Sequence, residues 1–484
     1  MIRTPSLAAL AASAALLLGG CTTTNNYNYP DKARAAAPAA SETQVAGKAK
    51  NVILFIGDGM GISTVTAARI YAGQKQGQSG EEYVLPFETF DNVALVKTYN
   101  TDAQVADSAG TASAMHTGVK TRIGVLGYGP GVTTGDCASG SGHELGLLGE
   151  EVKQRGLALG IVSTARLTHA TPASVYARSV SRDWEGDTAI PEDQRGRGCS
   201  DIAQQLVAAP FDVALGGGSV AFYGKQNGGL RLDDGADLPG DWHAATGGHF
   251  VTTAADLAAA PADAPLLGLF SPSHMTYMVD RDAESSEPTL TDMTAAAVTR
   301  LAGDPDGFYL MVESGRIDHG HHAGQAGYAL EEAVEFARAI QWAIDNTDPA
   351  ETLIMVTADH SHVFTIAGYP RRGNDILGLV VPPAGGGGDD AGPMLAADGQ
   401  PYTTLGYANG PGAVKHDAPG GGRPTPETGV MAHQQALVPL GSETHAGEDV
   451  ALYANGPGAG SVRGVMEQNL IYDVIRKAYG WPAD

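Results

Sequence analysis

Five short apolar runs constrain the fold of this chain more than any other sequence feature. They lie at residues 51–56, 159–162, 211–215, 308–312 and 352–356. Runs this apolar and this short suit strands that are buried on both faces, as in a mostly parallel sheet. Between the last two, apolar residues recur with a helical period over residues 329–345. The alternation predicts an α/β fold, a three-layer sandwich with a mostly parallel central sheet covered by helices.

Potential metal ligands follow four of these runs. They are Asp58 after the first run, Thr171 after the second, Glu313, Asp318 and His322 after the fourth, and Asp359 and His360 after the last. Ligands bind at the carboxyl ends of strands in open α/β sheets, and zinc takes imidazole nitrogen and carboxylate oxygen. A single histidine is more often a hydrogen-bonded or surface residue. The set as a whole predicts a metal centre.

A candidate nucleophile stands at the start of a predicted short helix. Asp107 and Ser108 precede small, helix-compatible residues, and Gly118 is a stop signal. A serine at a helix start is usually only an N-cap. It becomes a nucleophile if a metal lowers the pKa of its hydroxyl, and the helix N-terminus then adds favourable charge for an incoming phosphate. On the residues alone, both interpretations of Ser108 stay open.

The charge balance limits the partners of this chain. Among 484 residues, Lys and Arg number 30 against 54 Asp and Glu, which gives a net charge of −24. Nucleic-acid binding needs a basic surface, so we expect no nucleic acid as a binding partner. An anionic substrate would also be repelled at long range unless bound cations reversed the local field.

The first 49 residues indicate export. Residues 1–20 resemble a signal peptide, because Arg3 precedes an apolar run at 6–20 that is short for a membrane span. The run leads into Leu-Gly-Gly-Cys at 18–21, which resembles the bacterial lipobox and predicts lipidation of Cys21; an ordinary cleaved signal is the alternative. Residues 21–49 predict a lipid-anchored flexible tether. We therefore expect an exported, periplasmic or outer-membrane lipoprotein whose only membrane contact is this anchor.

Five segments together resemble the alkaline phosphatase family. They are Gly-Asp-Gly at 57–59, Asp-Ser-Ala at 107–109, and the stretches 316–322, 357–362 and 443–449. The resemblance covers roughly residues 50–475 in family order, and the last three segments are most similar to the animal members. It implies the alkaline phosphatase fold for a catalytic domain at 50–484, with 370–432 as its variable crown-like insertion. We also expect a homodimer.

The resemblance implies three metal sites, two for Zn²⁺ and one for Mg²⁺. The ligands of the first zinc ion, which binds the Ser108 oxygen, are Asp58, Asp359 and His360. The ligands of the second zinc ion, which activates the hydrolytic water, are Asp318, His322 and His445. The magnesium ligands are Asp58, Thr171 and Glu313. A zinc pair of this kind stabilises the attacking and leaving oxygens of an in-line displacement.

The resemblance also implies the reaction and the remaining site residues. Ser108 attacks a phosphate monoester and forms a phosphoserine, which water then hydrolyses to release inorganic phosphate. Arg182 clamps two phosphate oxygens with its planar guanidinium, and Asp107 orients that arginine. The histidines expected beside the metal ligands are His169, His319 and His362. His321 and His433 are expected there or at the surface.

Four residues test the resemblance in detail. His169 stands where the enteric bacterial enzyme has an aspartate, as in the animal enzymes, which affects magnesium affinity or lets zinc occupy the third site. Ser271 replaces a glutamate of the animal enzymes' calcium site, so we expect no calcium. Cys137 and Cys199 are the even pair left after Cys21, which favours a disulfide over two buried thiols. They also fall where the animal branch has a disulfide.

Two other classes of function compete with this prediction. One is a sister enzyme on the same scaffold: a phosphodiesterase, a phosphonate hydrolase or a sulfatase. No Cys-x-Pro-x-Arg sequence occurs around Cys137 or Cys199, which disfavours a sulfatase, while Thr171, Glu313 and Arg182 favour a monoesterase over a diesterase. The other is a non-catalytic lipoprotein that binds metal or phosphate, which the presence of Ser108 disfavours.

Replacing His169 tests the third metal site. We expect His169→Asp to tighten magnesium binding, because a carboxylate offers the hard oxygen ligand that Mg²⁺ prefers to an imidazole. A magnesium titration of both proteins measures the change. Identical titration curves would contradict the assignment of His169 to this site.

Overall fold

The computed structural model describes residues 47–384, 392–414 and 423–482. The predicted signal peptide 1–20, the lipidation site Cys21 and most of the tether 21–49 lie outside the described residues and stay predictions. Within the described ranges, every helix falls short of the length and hydropathy that a bilayer crossing requires.

The described residues form fifteen strands and eleven α-helices, joined by loops and short 3₁₀ turns. The strands are β1 (Asn51–Gly57), β2 (Asn92–Lys97), β3 (Ala158–Arg166), β4 (Val213–Gly217), β5 (His249–Val251), β6 (Leu266–Leu269), β7 (Phe308–Ser314), β8 (Thr352–Ala358), β9 (Ser361–His362), β10 (Phe364–Ile366), β11 (Leu405–Gly410), β12 (Gln435–Pro439), β13 (His445–Ala446), β14 (Val450–Asn455) and β15 (Gly464–Glu467). The helices are α1 (Ile62–Lys75), α2 (Ser108–Thr117), α3 (Leu148–Gln154), α4 (Ala170–Ala173), α5 (Ile202–Ala208), α6 (Leu238–Thr246), α7 (Ala254–Ala259), α8 (Leu290–Leu301), α9 (Arg316–His322), α10 (Ala326–Asn346) and α11 (Leu470–Tyr479).

In the described part of the chain, ten of the strands form one sheet in the order β15-β2-β14-β8-β1-β7-β3-β4-β6-β5. The seven strands from β8 to β5 are parallel, and β14 is antiparallel to its neighbours β8 and β2. The five predicted strands are β1, β3, β4, β7 and β8, and the predicted helix at 329–345 is α10. Helices α3, α8 and α10 pack against this sheet. The predicted fold class is therefore confirmed.

Acidic residues lie at the carboxyl ends of the three central strands, at one edge of the sheet. β7, β1 and β8 are adjacent, and the register pairs Ile56 of β1 with Glu313 of β7 and with Thr357 of β8. Asp58 follows directly after β1, and Asp359 follows directly after β8. Because parallel strands in register end together, three carboxylates from distant parts of the sequence lie at the same edge.

Segment 217–265, which has little sequence pattern, is part of the main body. It supplies helices α6 and α7 and the edge strand β5, which pairs with β6. Arg231 within it is 3% exposed and forms an ion pair of 2.8 Å with the buried Asp201 at the start of α5. This buried pair attaches the segment to the rest of the domain.

Among the described residues of segment 370–432, β11 is the one strand, and its partners β10 and β12 lie on either side of the segment in the sequence. Strands β10, β11 and β12 form a separate three-stranded sheet. Strand β9 pairs with β13 in a separate two-stranded sheet, and the register places His362 opposite His445. The identification of 370–432 as a crown-like insertion stays a prediction.

Cys137 and Cys199 are joined in a disulfide, with their Cα atoms 5.6 Å apart. Cys137 belongs to a small apolar cluster that is separate from the main core and includes Val180 and Trp184. The pairing predicted from the cysteine count is the one in the structure. The disulfide and this cluster stabilise the loop that carries Arg182.

Removing the disulfide should destabilise the fold. We expect Cys137→Ala/Cys199→Ala to lower the free energy of unfolding by about 2–4 kcal/mol, because the bond restricts the unfolded chain across a 62-residue separation. Urea unfolding of the oxidised wild type, the reduced wild type and the variant measures the loss. Equal stability of oxidised wild type and variant would contradict the prediction.

Candidate active site

Helix α2 begins at Ser108, as its sequence predicts. The N-cap is Asp107, whose Oδ1 accepts a hydrogen bond of 3.1 Å from the Gly110 amide. Gly118 ends the helix in the left-handed conformation at φ 76°, a backbone geometry that favours glycine. Since Asp107 caps the helix, the Ser108 hydroxyl is not used as a cap. It is 2% exposed and points at the carboxyl edge of the sheet.

The first predicted zinc ligands surround the Ser108 hydroxyl. Ser108 Oγ lies 3.1 Å from His360 Nε2 and 3.4 Å from Asp58 Oδ1. His360 Nε2 in turn lies 3.3 Å from Asp359 Oδ2 and 3.4 Å from Asp58 Oδ1. Burial lowers the pKa of His360 well below its usual value, so its imidazole is neutral. A neutral imidazole between two carboxylates is a donor set that suits Zn²⁺.

The second predicted set converges on Asp318 Oδ1. His322 Nε2 lies 3.3 Å and His445 Nε2 3.4 Å from this oxygen, and the two nitrogens are 3.0 Å apart. The Nδ1 atoms face backbone carbonyls, at 2.6 Å from Glu443 O and 2.8 Å from Ala106 O. Because a carbonyl only accepts, each Nδ1 carries the proton and each Nε2 presents a lone pair. The lone pairs of the two Nε2 atoms and the Asp318 carboxylate therefore face one another, an arrangement that can bind a cation.

His362 binds to the same carboxylate differently. Its Nε2 lies 2.8 Å from Asp318 Oδ1, and its Nδ1 lies 2.5 Å from Glu443 Oε2. Although burial alone would lower it, these two carboxylates raise the pKa of His362 to about 10. Both ring nitrogens therefore donate protons. His362 therefore lies beside the predicted ligands and orients Asp318.

The third predicted set combines Asp58, Glu313 and Thr171, with His169 beside them. Oxygen or nitrogen atoms of Asp58, Glu313 and His169 lie within 4.8 Å of one another. Asp58 Oδ2, Glu313 Oε1 and Thr171 Oγ1 are buried without a hydrogen-bond partner among the described residues. Buried polar atoms without a partner are costly, so this cluster fits a bound cation.

Arg182 is held at both arms of its guanidinium. Nη1 donates to Asp107 Oδ2 at 3.1 Å, and Nη2 donates to His169 Nε2 at 2.9 Å. The same Asp107 oxygen accepts from the Gly124 amide at 3.0 Å. The contact between Arg182 and His169 has no signal in the sequence pattern. The Arg182 guanidinium is thereby held against Asp107, the residue directly before Ser108.

Burial and like charge dominate the electrostatics of the site. Burial, together with the carboxylates of Asp359 and Asp318, raises the pKa of Asp58 well above its usual value. Burial also raises the pKa of Glu313 to about 7. For Asp318 burial acts in the same direction, but His322 and the hydrogen bond from His362 hold its pKa well below the usual range.

The other predicted histidines divide into three environments. His319 Nε2 lies 4.0 Å from Asp318 Oδ2, and its ring lies beside that of His169. His321 is fully buried between Thr64 and Tyr407, while His433 is exposed. His274, whose ring centroid is 4.0 Å from that of His319, is a further histidine of this group that the sequence does not predict. His274 lies in the loop after β6, where the sequence has no periodic pattern that would identify it as a site residue.

Metal removal should make the stability of the fold depend on pH. Glu313 holds its proton up to about pH 7 in the metal-free fold but only to about 4.3 when unfolded. The unfolded chain therefore releases this proton first, and metal-free stability should fall as pH rises from 5 to 7. Thermal unfolding across this range, with chelator and with added Zn²⁺ and Mg²⁺, measures the effect.

Glu313→Gln provides the matched control for this pH effect. The variant cannot lose a proton at this position, so its metal-free melting temperature should fall less between pH 5 and 7 than that of the wild type. Identical pH profiles for chelated and metal-loaded wild type would contradict the proposed electrostatics of the site.

Comparison with known proteins identifies the family. The family model for alkaline phosphatase matches residues 49–481. The chain is 46% identical to the tissue-nonspecific alkaline phosphatase of Gallus gallus over 447 residues, covering 87% of this chain and 83% of the relative. It is 43% identical to the isozyme of Homo sapiens over 454 residues, covering 89% and 83%.

Solved structures share the fold at lower identity. The alkaline phosphatase of Thermus thermophilus matches with a TM-score of 0.66 at 24% identity, over 91% of this chain and 93% of that one. The enzyme of the Antarctic bacterium TAB5 matches with a TM-score of 0.62 at 23% identity, over 90% and 100%. The predicted resemblance, including its animal-like character, is confirmed: this chain belongs to the alkaline phosphatase family.

Proposed function

We propose that this protein hydrolyses phosphate monoesters to an alcohol and inorganic phosphate through a phosphoserine at Ser108. The observation that carries the proposal is the position of Ser108 Oγ, 3.1 Å from His360 Nε2 and 3.4 Å from Asp58 Oδ1 at the start of a buried helix. The names of the relatives, all alkaline phosphatases, support the same activity.

Three metal ions complete the proposed site. The first Zn²⁺ is assigned to Asp58, Asp359 and His360, the second to Asp318, His322 and His445, and Mg²⁺ to Asp58, Thr171 and Glu313. When bound, these cations neutralise the phosphate and lower the pKa of the attacking groups. Support comes from the converging lone pairs of His322 and His445 and from the unpartnered atoms of Asp58, Glu313 and Thr171.

The protein's own groups position the substrate. The guanidinium of Arg182, held by Asp107 and His169, presents its planar fork to two phosphate oxygens. The N-terminus of α2 adds partial positive charge where the phosphate meets Ser108. Both groups are fixed before the substrate arrives, so little reorganisation is needed when it binds.

The reaction follows in two displacements. Ser108 Oγ attacks phosphorus, the bond from phosphorus to the alcohol oxygen breaks, and the alcohol leaves from the opposite side. Water then attacks the phosphoserine from the vacated side, which releases phosphate and restores the Ser108 hydroxyl. Phosphoryl transfer needs chiefly positioning and charge neutralisation from the protein.

Export, lipidation at Cys21 and homodimerisation complete the proposal. The sequence of residues 1–49 supports export and lipidation. Homodimerisation is proposed from the family resemblance. We propose an exported lipoprotein of the periplasm or outer membrane whose partners are small phosphate monoesters and a second copy of itself.

Hydrolysis of p-nitrophenyl phosphate at alkaline pH tests the proposed reaction. Metal-loaded wild type should turn over rapidly, lose activity on chelation and regain it with Zn²⁺ and Mg²⁺. We expect Ser108→Ala to lose at least about 10³-fold in kcat, because the nucleophile is absent. Acid quenching with ³²P-labelled substrate should label the wild type but not the variant.

Bis-p-nitrophenyl phosphate serves as the matched diester. Faster turnover of the diester than of the monoester would favour a phosphodiesterase. Metal binding without turnover of either ester would favour the non-catalytic lipoprotein.

A further inference from the structure

His116 is a buried histidine that the proposed reaction does not use. It lies in the last turn of α2, two turns beyond Ser108, and is 0% exposed. Its Nδ1 lies 2.9 Å from Ser174 Oγ and 3.0 Å from Ala112 O, and its Nε2 lies 2.9 Å from Tyr309 Oη. Every polar atom of the ring therefore has a partner.

The partners determine where the protons lie. Ser174 Oγ donates to Thr171 O at 2.7 Å, so it accepts from His116 Nδ1. Burial lowers the pKa of His116 to about 4, so the ring is neutral and carries one proton. Nε2 then accepts from the hydroxyl of Tyr309, which burial keeps protonated by raising its pKa. The result is one directed chain of hydrogen bonds from Tyr309 through His116 and Ser174 to the Thr171 backbone.

These hydrogen bonds connect three elements that carry or precede proposed site residues. His116 lies on α2, which begins with the nucleophile Ser108. Ser174 follows α4, three residues after Thr171, and Tyr309 lies on β7, four residues before Glu313. The hydrogen bonds thus join the helix of the nucleophile to two of the three elements that contribute to the proposed magnesium site.

The packing of α2 explains why such a link matters. All ten of its residues are buried, and apart from Met115 and His116 they are small: alanine, glycine, serine and threonine. Small side chains interdigitate little, so they resist sliding or rotation of a helix weakly. Directed hydrogen bonds in a buried network define one arrangement more strictly.

We propose that His116 is a positioning residue that holds the nucleophile helix in register with Thr171 and Glu313, and this inference rests on the function proposed above. Through α4 and β7, His116 sets the distance between the serine and the third metal site. It does not contact substrate.

The test replaces both partners of one hydrogen bond, as His116→Leu/Tyr309→Phe. Removing both avoids leaving the Tyr309 hydroxyl buried without a partner, so the variant should fold. We expect magnesium binding to zinc-loaded protein to weaken about 10-fold or more by titration calorimetry, the size of effect seen when partners of metal ligands are removed. The kcat for p-nitrophenyl phosphate should fall by a similar factor, with KM changed less than about twofold because Arg182 is untouched.

Leu301→Ala is the matched control for general damage to the core. Leu301 is 1% exposed at the end of α8, packs against Gly160 of β3 and is not one of the proposed site residues. This control should lower the melting temperature but leave magnesium binding and kcat unchanged. Unaltered magnesium binding and kcat in the double variant, or equal losses in Leu301→Ala, would overturn the positioning role.

Two single variants keep the proposal testable if the double variant does not fold. His116→Gln retains an acceptor for Tyr309 and should preserve most of the magnesium affinity, whereas Ser174→Ala breaks the link to Thr171 and should weaken it. Unchanged affinity in Ser174→Ala would overturn the proposal. An inactive metal-loaded wild type would instead contradict the proposed function, and magnesium affinity would still decide the role of His116.

Discussion

Three neighbouring parallel strands end in register and bring Glu313, Asp58 and Asp359 to one buried edge of the sheet. Burial deprives these carboxylates of water, and their mutual repulsion raises the pKa of Asp58. Such a group of anions is stable only when protons or cations compensate the charge. The surrounding features, which include oriented imidazoles, a doubly held arginine and a capped helix, are arranged around this excess of negative charge.

The histidines of the site have different roles because their second ring nitrogens have different partners. His322 and His445 each donate Nδ1–H to a backbone carbonyl, which leaves Nε2 free to bind a cation. His362 instead lies between Asp318 and Glu443 and keeps both protons. Residue type alone does not distinguish these roles, whereas the acceptor on the far side of each ring does.

The sequence predicts the parts of this protein that depend on local pattern. Apolar runs identified β1, β7 and β8, and helical spacing identified α10. Residues that directly follow those strands identified Asp58 and Asp359. The short strands β5 and β15 and the antiparallel β14 have no comparable signal, because pairing with distant neighbours defines them. Likewise, the position of His274 and the contact between His169 and Arg182 depend on how loops fold against the site. The spacing of residues in the sequence does not predict these loop conformations.

Strands β9 and β13 pair residue for residue, with His362 opposite His445. The eighty or so residues between them therefore leave the site and return to it at adjacent points. Closing such a loop costs little more as it lengthens, roughly 0.6 kcal/mol per doubling. Insertions, deletions or replacements between β9 and β13 can therefore occur while this strand pair stays in place. The length of the segment between β9 and β13 can thus change without any change in the residues proposed to perform the chemistry.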